Sequence, residues 1–308
     1  MLKKINSHPA CAVLSALVFI GSIMFQILTN SVAAAPASFI EQQFTSQVKG
    51  SGLPIILIPG LMSDARVWDE LTAALIKTYQ VHRINIAGFA RTPASNNPSL
   101  ATVKQQLLAY IDTQGLNKPA VIGHSLGGFM GFWLASSAPD KIGPIISVDG
   151  LPFIGPIFTR TNDSTVASLA AQATQIKAMY ANMSQAQLIA QSRYGLSIQA
   201  SSEEAQAKVM EMIESSDITT VGNAIHSLMS LDLRQDIANI TSPVLLLGAS
   251  GGFSSAEQHA AAQNLYAEQL EMAPKAQLLM NTDSRHFIMF DDPKWLEQQV
   301  LGFLGAKL

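Results

Sequence analysis

Residues Gly123-His124-Ser125-Leu126-Gly127 put a serine between two glycines, where a short apolar run gives way to a longer one. Pro119-Ala120-Val121-Ile122 ahead of it reads as a buried strand. Gly128-Phe129-Met130-Gly131-Phe132-Trp133-Leu134-Ala135 behind it reads as a buried helix. A Gly-x-Ser-x-Gly pentad in that setting is a nucleophile elbow, a sharp strand-to-helix turn that holds the serine in a strained backbone conformation. The glycines are a steric requirement, because side chains at 123 and 127 would collide with the neighbouring strand and helix. A strand and a helix must therefore meet at residue 125.

The rest of the chain keeps the same rhythm. Leu53-Pro54-Ile55-Ile56-Leu57-Ile58 is continuously apolar and runs into Pro59-Gly60. Uninterrupted runs of this kind belong to parallel sheets buried on both faces. A helix is predicted over 68–77, with Trp68, Leu71, Leu75 and Ile76 on one face, and a strand over 81–86. A helix over 99–113 precedes the elbow. Strands are predicted over 142–148, 244–247 and 276–280, and a last helix runs from Pro293 to about Leu304. Alternating strands and helices predict an α/β fold with a doubly wound, mostly parallel sheet. Residues 38–51 read as a polar linker. The interval 151–240 holds no strand-like run, and its alanine, glutamine and methionine favour helices. It is far longer than a single crossover needs. It is expected to be a helical cap over the carboxyl ends of the strands, inserted into a core made of 38–150 and 241–308.

Of the 308 residues, 48% are hydrophobic and 13% charged, the balance of a globular chain with a large core. The net charge of -3, with no basic run beyond the extreme N-terminus, gives nucleic-acid binding no electrostatic support. Lys3 and Lys4, the apolar run from Ala10 to Leu28 and the small residues from Ser31 to Ala37 have the three parts of a secretory signal, assigned to 1–37. The apolar run also approaches the length that spans a bilayer, so a retained anchor over 10–28 is the alternative. An exported protein, periplasmic or secreted, is expected, with membrane contact only if the segment is retained. Cys11, the single cysteine, lies in that segment, so the mature chain would have neither disulfides nor thiol chemistry. No histidine–carboxylate set has ligand spacing, so neither a metal nor an organic cofactor is implied.

The Pro59-Gly60 loop, the elbow, a late histidine and their order make the chain resemble the α/β-hydrolase superfamily from about Leu53 to Leu308. It is most similar to the capped serine esterase and aminopeptidase-like branch. The resemblance implies Ser125 as nucleophile and, after the last strand, His286 in Thr282-Asp283-Ser284-Arg285-His286-Phe287 as its base. His82, His124, His226 and His259 read as surface or packing residues, with His124 pointing elsewhere on the turn. The backbone N–H of Leu126 and, by family analogy, that of Leu61 would receive the oxyanion. Many relatives have His-Gly where this chain has Pro59-Gly60, but the donor is the main chain of the next residue.

The acid departs from the usual pattern. Relatives carry Gly-x-x-Asp after the strand before last, whereas this chain reads Gly248-Ala249-Ser250-Gly251. A second family location, the end of the strand after the elbow helix, holds Asp149 in Val148-Asp149-Gly150. Asp283 and Glu257 are the other candidates, and turn capping is the competing role for Asp149. A serine nucleophile implies an acyl-enzyme. Esters, thioesters, lactones and amides are then candidate substrates, and relatives that attack with aspartate, the dehalogenases and epoxide hydrolases, are excluded. The expected function is a carboxylesterase-like serine hydrolase acting on small, largely apolar molecules. An aminopeptidase-like amidase, an acyl-lactone hydrolase and a non-catalytic binding protein are the alternatives. The cap is expected to wall the small-molecule pocket with Phe153, Ile157, Phe158, Met179 and Tyr180.

Overall fold

The computed structural model describes residues 41–273 and 275–307; the expected signal over 1–37 and anchor over 10–28 lie outside the described residues. Strands β1 (Phe44–Lys49), β2 (Leu53–Ile58), β3 (Tyr79–Ile86), β4 (Ala120–His124), β5 (Ile145–Val148), β6 (Val244–Ala249) and β7 (Ala276–Asn281) form one sheet in the order 1-3-2-4-5-6-7. Only β1 runs antiparallel to its neighbour. The helices that cover the sheet include α1 (Asp69–Leu75), α2 (Leu100–Thr113) and α3 (Leu126–Ser137).

The unbroken apolar runs are explained by burial on both faces. In β2, Ile56 and Ile58 pack with α2 and α3, while Ile55 and Leu57 pack with α1 and the C-terminal helix over Pro293–Lys307. The same odd–even division holds along β4, β5 and β6, where Val121, Ile145 and Leu246 face one layer and Ile122, Ile146 and Leu247 the other. The strand predicted from residue 142 starts only at Ile145, because Gly143 and Pro144 lead into it and the Gly143 N–H is held by the carbonyl of Pro119 at 3.0 Å.

The expected linker over 38–51 is a correction: it contains strand β1. Thr45, Gln47, Val48 and Lys49 are exposed and Phe44 alone in the strand is buried, so the sequence lacks the apolar run of a central strand. An edge strand needs only its ladder and one anchor. Phe44 supplies that anchor by packing edge-on against Tyr110 of α2, with ring centroids 5.7 Å apart.

Between β5 and β6 the described chain is helical. It forms α4 (Gly155–Thr159), α5 (Val166–Ala181), α6 (Gln185–Gln199), α7 (Glu203–Glu214) and α8 (Ile218–Met229). Four of these start where the sequence offers a capping oxygen. The side chains of Thr165, Ser184, Ser202 and Asp217 accept the N–H three residues on, at 3.1, 3.3, 3.1 and 2.7 Å. Helix α5 packs on α8 and α6 on α7. Helices α9 (Ala256–Glu268), α10 (Ile288–Asp291) and α11 (Pro293–Lys307) complete the chain. The strand order reverses between β2 and β4, and ligands of open α/β sheets bind outside the carboxyl ends at such a switch. The Pro59-Gly60 loop and the elbow leave the sheet there.

The single-anchor account of β1 makes a testable contrast. Phe44→Ala is expected to destabilise the protein by about 3 kcal/mol, and Gln47→Ala in the same strand by less than about 0.5 kcal/mol. Urea unfolding of both variants measures the difference.

Candidate active site

Strand β4 lies between β2 and β5, and Gly123 stands level with Ile58 on one side and Ser147 on the other. The chain reverses at Ser125, whose backbone takes φ +52° and ψ -114°, while its N–H donates to the carbonyl of Val148 at 2.9 Å. A side chain pays about 1–3 kcal/mol for such a conformation. The flanking glycines permit the reversal. A Cβ on Gly127 would stand 2.1 Å from the carbonyl oxygen of Ile58, and one on Gly123 would stand 2.0 Å from that of Gly127. Both obstacles are backbone, so neither can yield.

Asp149 leaves β5 one strand away and also has a left-handed backbone, φ +51°. Its N–H donates to the carbonyl of Leu247 at 2.7 Å, which ties it to β6. Oxygen Oδ2 accepts from Nδ1 of His286 at 2.6 Å. Oxygen Oδ1 accepts from the Ala249 N–H at 2.8 Å and from the Tyr266 hydroxyl at 2.9 Å. A carboxylate only accepts, so Nδ1 of His286 carries the proton and Nε2 is left with its lone pair. That is the tautomer a general base needs.

His286 sits in the loop between β7 and α10, which is held at several points. Asn281 caps the loop by accepting from the N–H groups of Asp283 and Ser284 at 2.9 and 2.7 Å. The Phe287 N–H donates to the carbonyl of Gln199, and the Arg285 guanidinium to those of Ser197 and Ala200, so the end of α6 rests on this loop. Of the three candidate carboxylates, Asp149 alone meets the imidazole. Asp283 is exposed, and Glu257 is exposed in the first turn of α9, where its own backbone N–H and Ser255 hold its carboxyl below the usual range.

His124 corrects an expectation. It does not point away from the site but lies buried between the rings of His286 and Phe287, at centroid distances of 4.6 and 4.5 Å. Its Nε2 donates to the carbonyl of His286 at 3.0 Å, and its Nδ1 has no partner among the described residues. Burial pushes its pKa well below 6.5 and the neighbouring His286 lowers it further, so the ring is neutral. Above it, a Cβ on Gly60 would stand 2.7 Å from Nδ1 of His124 and 3.2 Å from Cβ of Ser125. The loop that carries Leu61 therefore passes directly over the serine. Leu126 opens α3, where the first amides have no helical partner.

The expected pocket residues separate. Phe153 is wholly buried with Leu169, Ala173 and Met229 beneath the Arg234 guanidinium, so it is a core residue of the cap and not a wall. Ile157, Phe158 and Met179 are exposed, and Tyr180 is half-buried beside a cleft shared with Met183 and Arg91. Sequence reasoning missed Tyr266 and the role of His124. A lone tyrosine in a helix made mostly of alanines and polar residues gives no signal, although the glycines at 248 and 251 mark where neighbouring groups come close.

A strained serine after β4, a carboxylate after β5 and a histidine bonded to it after β7 thus stand at the carboxyl ends of a parallel sheet, the arrangement of an α/β hydrolase. The sequence model of the alpha/beta hydrolase fold matches residues 54–293, and the chain belongs to that family. It is similar to a putative carbamate hydrolase RutD of Azorhizobium caulinodans, with 24% identity over 84% of this chain and 94% of that protein. A pimeloyl-[acyl-carrier protein] methyl ester esterase of Aliivibrio salmonicida is 29% identical over 34% of this chain and 39% of its own length. Among solved structures, the enol-lactonase from Burkholderia xenovorans LB400 superposes with a TM-score of 0.70 at 18% identity, covering 85% of this chain and 96% of that one.

The neutral His124 has a measurable consequence for stability. The unfolded chain takes up this proton near 6.5, whereas the folded chain does so only at much lower pH. Below about pH 6.5 the unfolded state binds more protons, so stability falls by up to about 1.4 kcal/mol per pH unit from this group. Thermal unfolding between pH 7 and 4.5 is expected to show a shallower loss in His124→Gln than in the parent chain.

Proposed function

We propose that the protein is a serine hydrolase that cleaves carboxylic esters, or related acyl bonds, of small and largely apolar molecules through an acyl-enzyme. The observation that carries this reading is the 2.6 Å contact between Asp149 Oδ2 and His286 Nδ1, beside a serine held at φ +52°. In the proposed reaction, Oγ of Ser125 attacks the substrate carbonyl as Nε2 of His286 takes its proton. The charge that develops on the imidazole is stabilised by Asp149, and the oxyanion by the N–H groups of Leu61 and Leu126. Collapse of the tetrahedral intermediate expels the alcohol, which receives the proton from His286. Water then attacks the acyl carbon as His286 takes its proton, and collapse of the second tetrahedral intermediate breaks the bond to Oγ, releases the acid and returns the proton from His286 to Ser125.

The methyl ester esterase and the carbamate hydrolase among the relatives support an acyl substrate. For location we propose export, with 1–37 as the signal and retention through 10–28 as the alternative outcome. Fractionation of the full chain, with sequencing of the mature N-terminus, decides between them.

The chemistry is tested with a fluorophosphonate probe and a panel of chromogenic esters of graded acyl length, run beside lactones and aminoacyl amides. Labelling is expected in the parent chain and none in Ser125→Ala. Asp149→Asn is expected to lower kcat by about 10⁴-fold, because the base then takes the wrong tautomer. A folded parent chain that neither labels nor turns over any member of the panel overturns the reading.

A further inference from the structure

Position 251, where relatives carry the acid, has no room for a side chain. A Cβ on Gly251 would stand 2.5 Å from the carbonyl carbon and oxygen of Asp283 and 2.7 Å from the carbonyl oxygen of Ser284. The Gly251 N–H donates to that Ser284 oxygen at 2.8 Å. The loop carrying His286 thus occupies the space, and the carboxylate reaches the imidazole from β5 instead. A carboxylate arriving from there must be aimed. The terminal torsion of aspartate is broad, so bonds to its oxygens decide which one faces the base.

We propose that Tyr266 is a positioning residue for Asp149, its hydroxyl fixing the carboxylate so that Oδ2 faces His286. The hydroxyl donates to Oδ1 at 2.9 Å, opposite the oxygen that meets the imidazole. It comes from α9, an element separate from both β5 and the His286 loop. Residue 248 beneath it is glycine, where a Cβ would stand 2.5 Å from Sδ of Met280 and 2.8 Å from Cδ1 of Tyr266. Burial, with the Asp149 charge added, holds the phenol well above its ordinary 10, so it remains a donor. Among the described residues, His286 is bonded to the same carboxylate through Oδ2, and His124, which packs against the His286 ring, is neutral. The Ala249 N–H is the second donor to Oδ1, but a backbone amide fixes only one direction. Donation from Tyr266 also draws charge from the carboxylate, which makes it a weaker partner for the imidazolium.

This assignment rests on the serine-hydrolase reading, and two measurements on Tyr266→Phe separate the two. The variant keeps the ring and loses one hydrogen bond to a charged group. A fall in kcat of about ten- to hundredfold is expected, with KM little changed. The acid limb of kcat/KM, which reports the base, moves to higher pH because Asp149 regains charge density. The second measurement needs no activity: the downfield Nδ1–H proton resonance of His286, identified by its loss in His286→Gln, is expected to shift in Tyr266→Phe. Unchanged kcat, pH profile and resonance in the folded variant overturn the assignment. If the parent chain hydrolyses nothing, the function fails instead, and the resonance alone decides the role of Tyr266. Should Tyr266→Phe not fold, Tyr266→Leu, which also removes the hydroxyl, is expected to change kcat and the resonance in the same direction.

Discussion

The site depends on how closely helix α3 crosses the sheet. The carbonyl of Ile58 lies where a Cβ of residue 127 would be, and the carbonyl of Gly127 lies where a Cβ of residue 123 would be. Helix, elbow and two central strands are locked together through bare backbone, without a side chain that could adapt. This contact holds Ser125 at φ +52° against the cost of that conformation. The same crossing brings the loop after β2 over the serine and sets Asp149 one strand away, since the Ser125 N–H is tied to the carbonyl of Val148.

A second steric exchange follows at the other side of the site. The peptides of Asp283 and Ser284 press against Gly251, and the hydrogen bond from Gly251 to Ser284 steadies the loop that presents His286. An aspartate at 251 and this tight loop exclude each other. With the carboxylate on β5, position 251 is free to support the loop that carries His286. The carboxylate in turn needs support from α9 and β6, because its own strand supplies none for Oδ1. The neutral ring of His124 fits the same logic. It braces the His286 carbonyl without adding positive charge next to the imidazole that the proposed reaction would protonate.

The parts of the fold that were legible in the sequence are those where one physical requirement dominates. Strands buried on both faces must be apolar throughout, so Leu53–Ile58 and Val244–Leu247 announce themselves. The elbow must have glycines. The helical character of 151–240 showed in its alanine, glutamine and methionine, but the individual starts at Thr165, Ser184, Ser202 and Asp217 were not read. Strand β1 was not legible, because an edge strand exposed on both faces carries linker-like polar residues. Phe153 was misread because an aromatic residue after the acid strand looks the same whether it faces a ligand or the cap's own core. Tyr266 gave no signal, since its partner is 117 positions away and the rest of its helix, mostly alanines and polar residues, has no apolar stripe to place it.

The balance between a catalyst and a binding protein on this fold turns on what the site costs. A ligand could be held by ordinary turns, with no need for left-handed backbone at Ser125 and Asp149, each worth about 1–3 kcal/mol of strain. Nor would binding require a carboxylate with three separate donors on its two oxygens, one of them an imidazole in the tautomer that leaves Nε2 bare. A site that served only to bind would gain from relaxing both features, because strain at one residue is a sizeable share of a typical stability of about 5–15 kcal/mol. In the proposed reaction both features have a use, since Ser125 is presented to a carbonyl and His286 is oriented to accept its proton. The geometry of Asp149, more than the presence of Ser125, is therefore what favours the hydrolase.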